Sequence, residues 1–185
     1  MRIFAEVLNL IVSLALISYT LWFVRELLFR SKVPPFIRTR PAVAHEVCAA
    51  FGTLPAGSVF YDLGCGDGRL IHTIATANPQ ASFTGVEMNP VPYFLAQVRQ
   101  WRHPLPNVRY LKQNLFTVDF SAVTHVYTYL YPHVMDELLP KLKGELPAGA
   151  RLISLDFSFS EKEPTARIPV QSRGTLGKEL YVYDF

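Results

Sequence analysis

The sequence predicts an α/β protein, a doubly wound and mostly parallel sheet preceded by a single N-terminal transmembrane helix. Three observations carry that expectation. Short apolar runs alternate with helical stretches along most of the 185 residues, and strands that alternate with helices form parallel sheets covered on both faces. One run, Val59-Phe60-Tyr61-Asp62-Leu63, passes into the glycine turn Gly64-Cys65-Gly66-Asp67-Gly68. Near the amino end, Val7 to Val24 is an 18-residue stretch without a charged side chain.

That stretch is just long enough to span a bilayer, and Ile3 to Phe29 gives margin for tilt. Tyr19 and Trp22 suit an interfacial position. A cleaved signal peptide is the rival reading. Glu6 in the n-region, the length of the apolar run and the lack of a small-x-small site all speak against it. Directly after the run come Arg25, Arg30, Lys32, Arg38 and Arg40 against Glu26 alone, a local charge of +4. This bias predicts an uncleaved single-pass membrane protein with the amino terminus outside and the following domain facing the cytoplasm, helped by anionic headgroups. Residues 41–185 carry 12 basic and 13 acidic side chains, so the domain has no basic excess and nucleic acid is not the expected partner.

The elements follow in order. Residues 1–30 form the anchor, and residues 31–40 a basic linker that Val33-Pro34-Pro35-Phe36 holds extended. The domain occupies residues 41–185. Pro41 opens a helix to about Phe51, and Pro55-Ala56-Gly57 turns the chain into the first strand. Leu70 to Ala77 is a helix, and Phe83-Thr84-Gly85-Val86 a second strand closed by Glu87. Pro90 and Pro92 start a helix through Trp101. Val108 to Leu111 is a third strand, Val123 to Tyr131 a fourth with alternating aromatics, His133 to Gly144 a helix, and Arg151 to Phe157 a fifth strand. Arg167 to Ser172 and Glu179 to Phe185 read as a closing hairpin around Gly174 and Gly177, an antiparallel edge on the parallel sheet. Cys48 and Cys65 lie in unrelated contexts and the five histidines show no ligand spacing, so neither a disulfide nor a metal site is expected.

The glycine turn carries the chemistry. Its glycines let the backbone approach a ligand closely, and the amino end of the next helix faces the same spot. Two nucleotide readings compete. The dinucleotide fingerprint needs a small residue where Arg69 stands, and Asp62 ahead of the glycines repels a pyrophosphate. A P-loop needs Gly-Lys-Ser/Thr, which is absent. Two acids instead favour a ligand that joins an amino acid and a sulfonium to an adenosine ribose. Asp62 can accept from a cationic or amino group, and Glu87 can hold both ribose hydroxyls. That ligand is S-adenosylmethionine.

On these residues the chain resembles the class I, seven-strand S-adenosylmethionine methyltransferases. More narrowly it resembles the membrane-anchored protein-lysine methyltransferases of the ATP synthase c subunit and the adenine nucleotide translocase. The similarity spans roughly Pro34 to Phe159 plus the apolar anchor. Its specific carriers are Pro35-Phe36-Ile37-Arg38-Thr39 and Glu87-Met88-Asn89-Pro90, with Asn114-Leu115-Phe116 and Tyr129-Leu130-Tyr131-Pro132 in support. The family often has proline where Arg38 stands and an acid where Asn114 stands. The Asn114 carbonyl can still accept from an adenine amino group. The resemblance implies a Rossmann-like methyltransferase domain whose cofactor residues are Asp62, Gly64, Gly66, Asp67, Glu87, Asn114 and Leu115.

Methyl transfer to nitrogen asks for alignment and dryness more than for reactive side chains. Tyr131, with Pro132 fixing the turn, is the expected catalytic lining, and Phe36 and Thr39 line the acceptor side. Asp136 and Asp156 are conceivable proton acceptors, but each reads first as a solvated or strand-end carboxylate, and the sequence names no general base. The expected activity is methyl transfer from S-adenosylmethionine to a lysine of a membrane protein. Two alternatives stand beside it, a methyltransferase of a lipid or lipophilic small molecule and a non-catalytic cofactor-binding assembly factor.

Overall fold

A computed structural model describes residues 2–29, 38–171 and 176–185. The chain divides into two units, residues 1–35 and 36–185. The first contains helix α1 (Arg2–Phe29). Within it Phe4–Phe23 has a mean hydropathy of 1.8 and is not buried. At 1.5 Å per residue these 20 residues measure about 30 Å, the thickness of a hydrocarbon core. Thr20 settles its hydroxyl inside the helix by donating to the Leu16 carbonyl at 2.8 Å, which removes one polar cost of an apolar environment.

The second unit runs α2 (Pro41–Phe51), β1 (Val59–Leu63), α3 (Arg69–Ala77), β2 (Ser82–Val86), α4 (Pro90–Arg102), β3 (Val108–Leu111), β4 (His125–Thr128), α5 (Pro132–Glu145), β5 (Arg151–Leu155), β6 (Ala166–Pro169) and β7 (Glu179–Asp184). Seven strands form one sheet in the order β3-β2-β1-β4-β5-β7-β6. The first five are parallel, and β7 and β6 add the antiparallel edge. The order reverses direction after β1, between its neighbours β2 and β4. In an open α/β sheet this switch point is where a crevice forms at the carboxyl ends of the strands.

Each face has its own core. Val43, Ala44 and Val47 of α2, Leu70, Ile71 and Ile74 of α3 and Ala96 of α4 cover one side of the sheet. Met135, Leu138, Leu139 and Leu142 of α5 cover the other, together with Phe120 and Phe159. Burying both faces explains why β1, β4 and β5 read as near-continuous apolar runs. Proline starts three of these helices, where its missing N–H has no partner to lose. Asn89 adds a cap to α4, its Oδ1 accepting from Val91 N at 3.2 Å.

Strand boundaries depart from the sequence reading at several places, β6 ending early at Pro169 among them. The fourth strand begins at His125 and ends at Thr128, so Tyr129 to Tyr131 lie beyond the sheet. The fifth ends at Leu155, because Asp156 adopts φ 63°, a left-handed conformation that breaks the extended run. Helix α5 opens one residue earlier than expected, on Pro132. Of the expected hairpin turn, Gly177 is seen with φ 76°, whereas Gly174 lies outside the described residues.

Candidate active site

The crevice is assembled from the carboxyl ends of β1, β2 and β4. Past Leu63 the chain turns sharply, and both Gly64 N and Cys65 N donate to the Val86 carbonyl, at 2.8 and 3.0 Å. The turn is thereby bonded to the end of β2. Gly64, Gly66 and Gly68 all have positive φ. At Gly68 no other residue fits, since a Cβ would stand 2.2 Å from the Tyr110 hydroxyl. That hydroxyl donates to the Gly68 carbonyl at 3.4 Å. Gly85, inside β2, serves the same contact from beneath: its missing side chain makes room for Cys65 Sγ and the Tyr110 ring.

Glu87 sits where β2 ends. Its Oε2 accepts from Gly66 N at 3.0 Å and its Oε1 from Asn89 N at 2.7 Å. These two bonds fix the carboxylate on the loop and use only part of its accepting capacity. Burial raises its pKa, against the lowering effect of the bonds from Asn89 and Gly66.

Asp62 is different. It is 2% exposed, and among the described residues no hydrogen bond reaches its carboxyl group. Burial first, then the charges of Glu87 and Asp67, push its pKa up to about 8. A buried acid beside two other acids calls for a cation. Across the β1–β4 pairing Asp62 faces Tyr127, whose buried hydroxyl also lacks a hydrogen-bond partner. The Thr39 side chain approaches that hydroxyl, so this residue of the linker reaches the crevice. Two acids, one free of partners and one bonded to the glycine loop, fit the ammonium, sulfonium and diol of S-adenosylmethionine. They do not fit a pyrophosphate.

Asp67 is engaged by side chains of the domain itself. Only 5% exposed, its carboxylate pairs with Arg38 Nε at 3.1 Å, Arg99 Nη2 at 3.3 Å and Arg69 Nη2 at 4.0 Å. Arg99 Nε also donates to the Asp67 carbonyl at 2.8 Å. Asp67 therefore orders the loop by tying the linker, α3 and α4 to it. Asn114 is exposed, and its Oδ1 caps the short 3-10 turn Leu115–Thr117 by accepting from Phe116 N at 3.1 Å. One lone pair of that oxygen stays available, and half-buried Leu115 stands beside it.

On the other side of the crevice lies an aromatic wall. Tyr129 donates to Asp156 Oδ2 at 3.2 Å and stacks on Phe157 at 6.0 Å between centroids. Phe157 also meets Tyr131 at 5.8 Å, and Tyr131 stacks on His133. Burial and the nearby Asp156 charge raise the Tyr129 pKa to about 12. Asp156 is further engaged by Gly177 N and Lys178 N, both at 2.6 Å. It is thus a bracket between the end of β5 and the hairpin. Asp136 accepts from Ser160 N at 2.7 Å, a bond from α5 to the segment after β5.

Sequence reasoning named Tyr131 and Pro132 here but passed over Tyr129, Phe157, Arg99 and Tyr110. The alternation Tyr127-Tyr129-Tyr131 was the available signal for Tyr129. Phe36 lies outside the described residues.

Comparisons with known proteins agree with this geometry. Residues 62–166 match the ANTKMT methyltransferase domain. A protein-lysine N-methyltransferase of Saccharolobus islandicus is 35% identical over 158 residues, 80% of this chain and 92% of that protein. The mouse adenine nucleotide translocase lysine N-methyltransferase is 28% identical over 186 residues, 97% of this chain and 77% of that protein. Among solved structures, an RNA methyltransferase from Salinibacter ruber in complex with S-adenosyl-L-homocysteine superposes with a TM-score of 0.71 at 26% identity. It covers 80% of this chain and 93% of that one.

Proposed function

The chain belongs to the ANTKMT methyltransferase family, and on that premise we propose that it moves a methyl group from S-adenosylmethionine to the Nζ of a lysine in a membrane protein. Asp62 carries the reading. A buried carboxyl without partners, next to a glycine loop and a second acid, is a binding site for a ligand that is cationic at one end and carries a diol at the other. Asp62 receives the amino-acid end, Glu87 the ribose, and Asn114 and Leu115 border the adenine.

The bound cofactor supplies a methyl group already activated by a sulfonium. The chain's own task is to present a neutral amine in line with it. A lysine Nζ has an ordinary pKa near 10.4, so it must arrive dehydrated and lose a proton. Tyr129, Phe157 and Tyr131 form an apolar flank for the alkyl stem, and burial there favours the neutral amine. Tyr129 donates its proton to Asp156, which leaves the phenol oxygen as an acceptor aimed by a fixed hydrogen bond. With Asp62 and Glu87 holding the cofactor, the amine would stand in line with the methyl group that the sulfonium would release. The product ammonium sheds its proton to water.

The relative named for translocase lysines supports a membrane-protein acceptor, and so does helix α1. We read α1 as an uncleaved span with the domain on the cytoplasmic side. The linker from Arg30 to Thr39 spans at most about 36 Å, which raises the effective concentration of membrane-embedded lysines alone. The RNA reading that the Salinibacter structure raises is opposed by the net charge of −1 on residues 41–185.

The test incubates the full chain and its Tyr131→Ala variant with labelled S-adenosylmethionine, using membranes and soluble extract from the source cells separately. Label in membrane protein, recovered as methyl-lysine after acid hydrolysis and reduced at least tenfold by the variant, is the expected result. Label that extracts into organic solvent would transfer the assignment to a lipophilic substrate. No transfer at all, with cofactor still bound, would favour a non-catalytic module.

A further inference from the structure

Helix α4 buries only Pro92 and Ala96. Its opposite side, continued by the loop before it, exposes Met88 (49%), Val91 (60%), Phe94 (65%), Leu95 (38%) and Trp101 (80%). Spacings of three, four and seven place these side chains in one stripe along the helix. A soluble surface rarely gathers so many large apolar groups without a partner.

The charge of the same region is equally uneven. From Met88 to Val118 the sequence holds Arg99, Arg102, Arg109 and Lys112 and no Asp or Glu. The rest of residues 41–185 carries eight basic against thirteen acidic side chains. Helix α4 packs beside β3, the edge strand of the sheet, so stripe and basic residues share one end of the domain. An apolar stripe, a tryptophan and flanking arginines without acids are the composition of a helix that lies in a membrane interface.

We propose that this face docks on the headgroup region of an anionic bilayer, with α4 lying in the plane of the interface. The inference rests on the reading of α1 as an anchor, which supplies the bilayer. An RNA partner would use the arginines and stack on Phe94 and Trp101. Met88, Val91 and Leu95 offer a base nothing to stack on, and they favour acyl chains. Docking has a consequence for the site. Asn89 begins α4 two residues after Glu87, and Arg99 of α4 holds Asp67. Seating α4 on the membrane therefore orients the cofactor loop, and the crevice with it, toward lysines at the headgroup level.

The experiment uses the full chain carrying Trp22→Phe, which leaves Trp101 as the one tryptophan. It is reconstituted in nanodiscs of phosphatidylcholine alone or with phosphatidylserine, with and without brominated acyl chains. The expected result is a blue-shifted Trp101 emission that brominated lipid quenches, more so with phosphatidylserine. Adding Phe94→Ser and Leu95→Ser should abolish the quenching while S-adenosylmethionine affinity stays within twofold. Replacing Arg102 and Lys112 by Gln should cut the preference for anionic lipid roughly fivefold for each residue. A chain that incorporates but keeps Trp101 unquenched overturns the docking face and leaves the anchor standing. A chain that carbonate extracts from the bilayer, yet whose Trp101 is quenched by anionic vesicles, removes the anchor and keeps the docking face. Quenching by structured RNA instead of lipid, or a dimer abolished by Phe94→Ser, overturns the proposal.

Discussion

If Asp62 receives the cationic end of the cofactor, binding should release a proton. In the free protein its pKa is raised from 3.8 to about 8 by burial, Glu87 and Asp67. At pH 7 the group is then roughly nine-tenths protonated, the ten-to-one ratio that one pH unit sets. A ligand bearing ammonium and sulfonium charges binds the ionised form, so its arrival lowers the pKa and expels the proton. The sign follows: affinity rises with pH below the free pKa, about tenfold per unit between pH 5.5 and 7. Above that window the ligand's own α-amino group, near 7.7–8.0, begins to lose its charge. Calorimetry at pH 7 in buffers of different ionisation enthalpy should report about 0.9 proton released per S-adenosylmethionine. Asp62→Asn should release none, bind more weakly at pH 7 and show no slope over the window. The unliganded protein carries the complementary cost. A carboxyl whose folded pKa is raised loses stability as pH climbs from about 4 to 8, since the unfolded chain ionises first. Melting of the Asn variant should therefore fall less between pH 5 and 8 than that of the wild type. Equal affinity in wild type and variant, with no proton release in either, would refute the assignment of Asp62 to the cationic end of the cofactor.

Glu87→Ala removes the carboxyl proposed to hold the ribose, which should weaken S-adenosylmethionine by about 1.5–3 kcal/mol, roughly 10–150-fold in Kd; unchanged affinity in calorimetry would remove Glu87 from the site. Asp156→Ala strands Gly177 N and Lys178 N and leaves a non-glycine residue at φ 63°. About 3 kcal/mol should be lost, lowering the melting temperature by about 6–12 °C, while Asp156→Asn, which tolerates that conformation, should lose less than half as much. Tyr129→Phe keeps the ring stacking and removes the acceptor oxygen, so kcat should fall with cofactor affinity unchanged; a change confined to cofactor binding would place Tyr129 outside the methyl-transfer geometry.

The features legible in the sequence were those with local causes. Val59 to Leu63 is apolar because β1 is covered on both faces, and the glycines after it turn because L side chains avoid the φ values found there. Glu87 could be placed because a strand of five residues must end beside the strand it pairs with. The fourth and fifth strands were read too long for a physical reason. Tyr129, Tyr131 and Phe157 look like alternating strand aromatics, and alternation cannot report that Pro132 begins a helix with Tyr131 as its cap. In Leu155-Asp156-Phe157 the aspartate is a turn former, but one such residue between apolar neighbours reads equally as a polar strand position. The left-handed backbone at Asp156 is held by Tyr129 and by two N–H groups of a hairpin some twenty residues away, bonds that no local pattern encodes.

The arginines around Asp67 show the same limit at the site itself. Read alone, Asp67 is one more acid in a glycine loop and looks like a ligand contact. In the fold Arg38 arrives from the linker and Arg99 from α4, each distant in sequence, and the carboxylate is consumed in ordering the loop. This division of labour among three neighbouring acids has an electrostatic logic. Paired with guanidinium groups, Asp67 stands as one acid beside Asp62. Glu87, held by two backbone N–H groups, is a second. Both raise the cost of ionising Asp62, the acid left without a partner, and so make it the group that gains most from a cationic ligand. Arg38 strengthens one end of that arrangement from the segment ahead of α2. Replacing it with proline should loosen the Asp67 cluster without touching the Asp62–Glu87 pair.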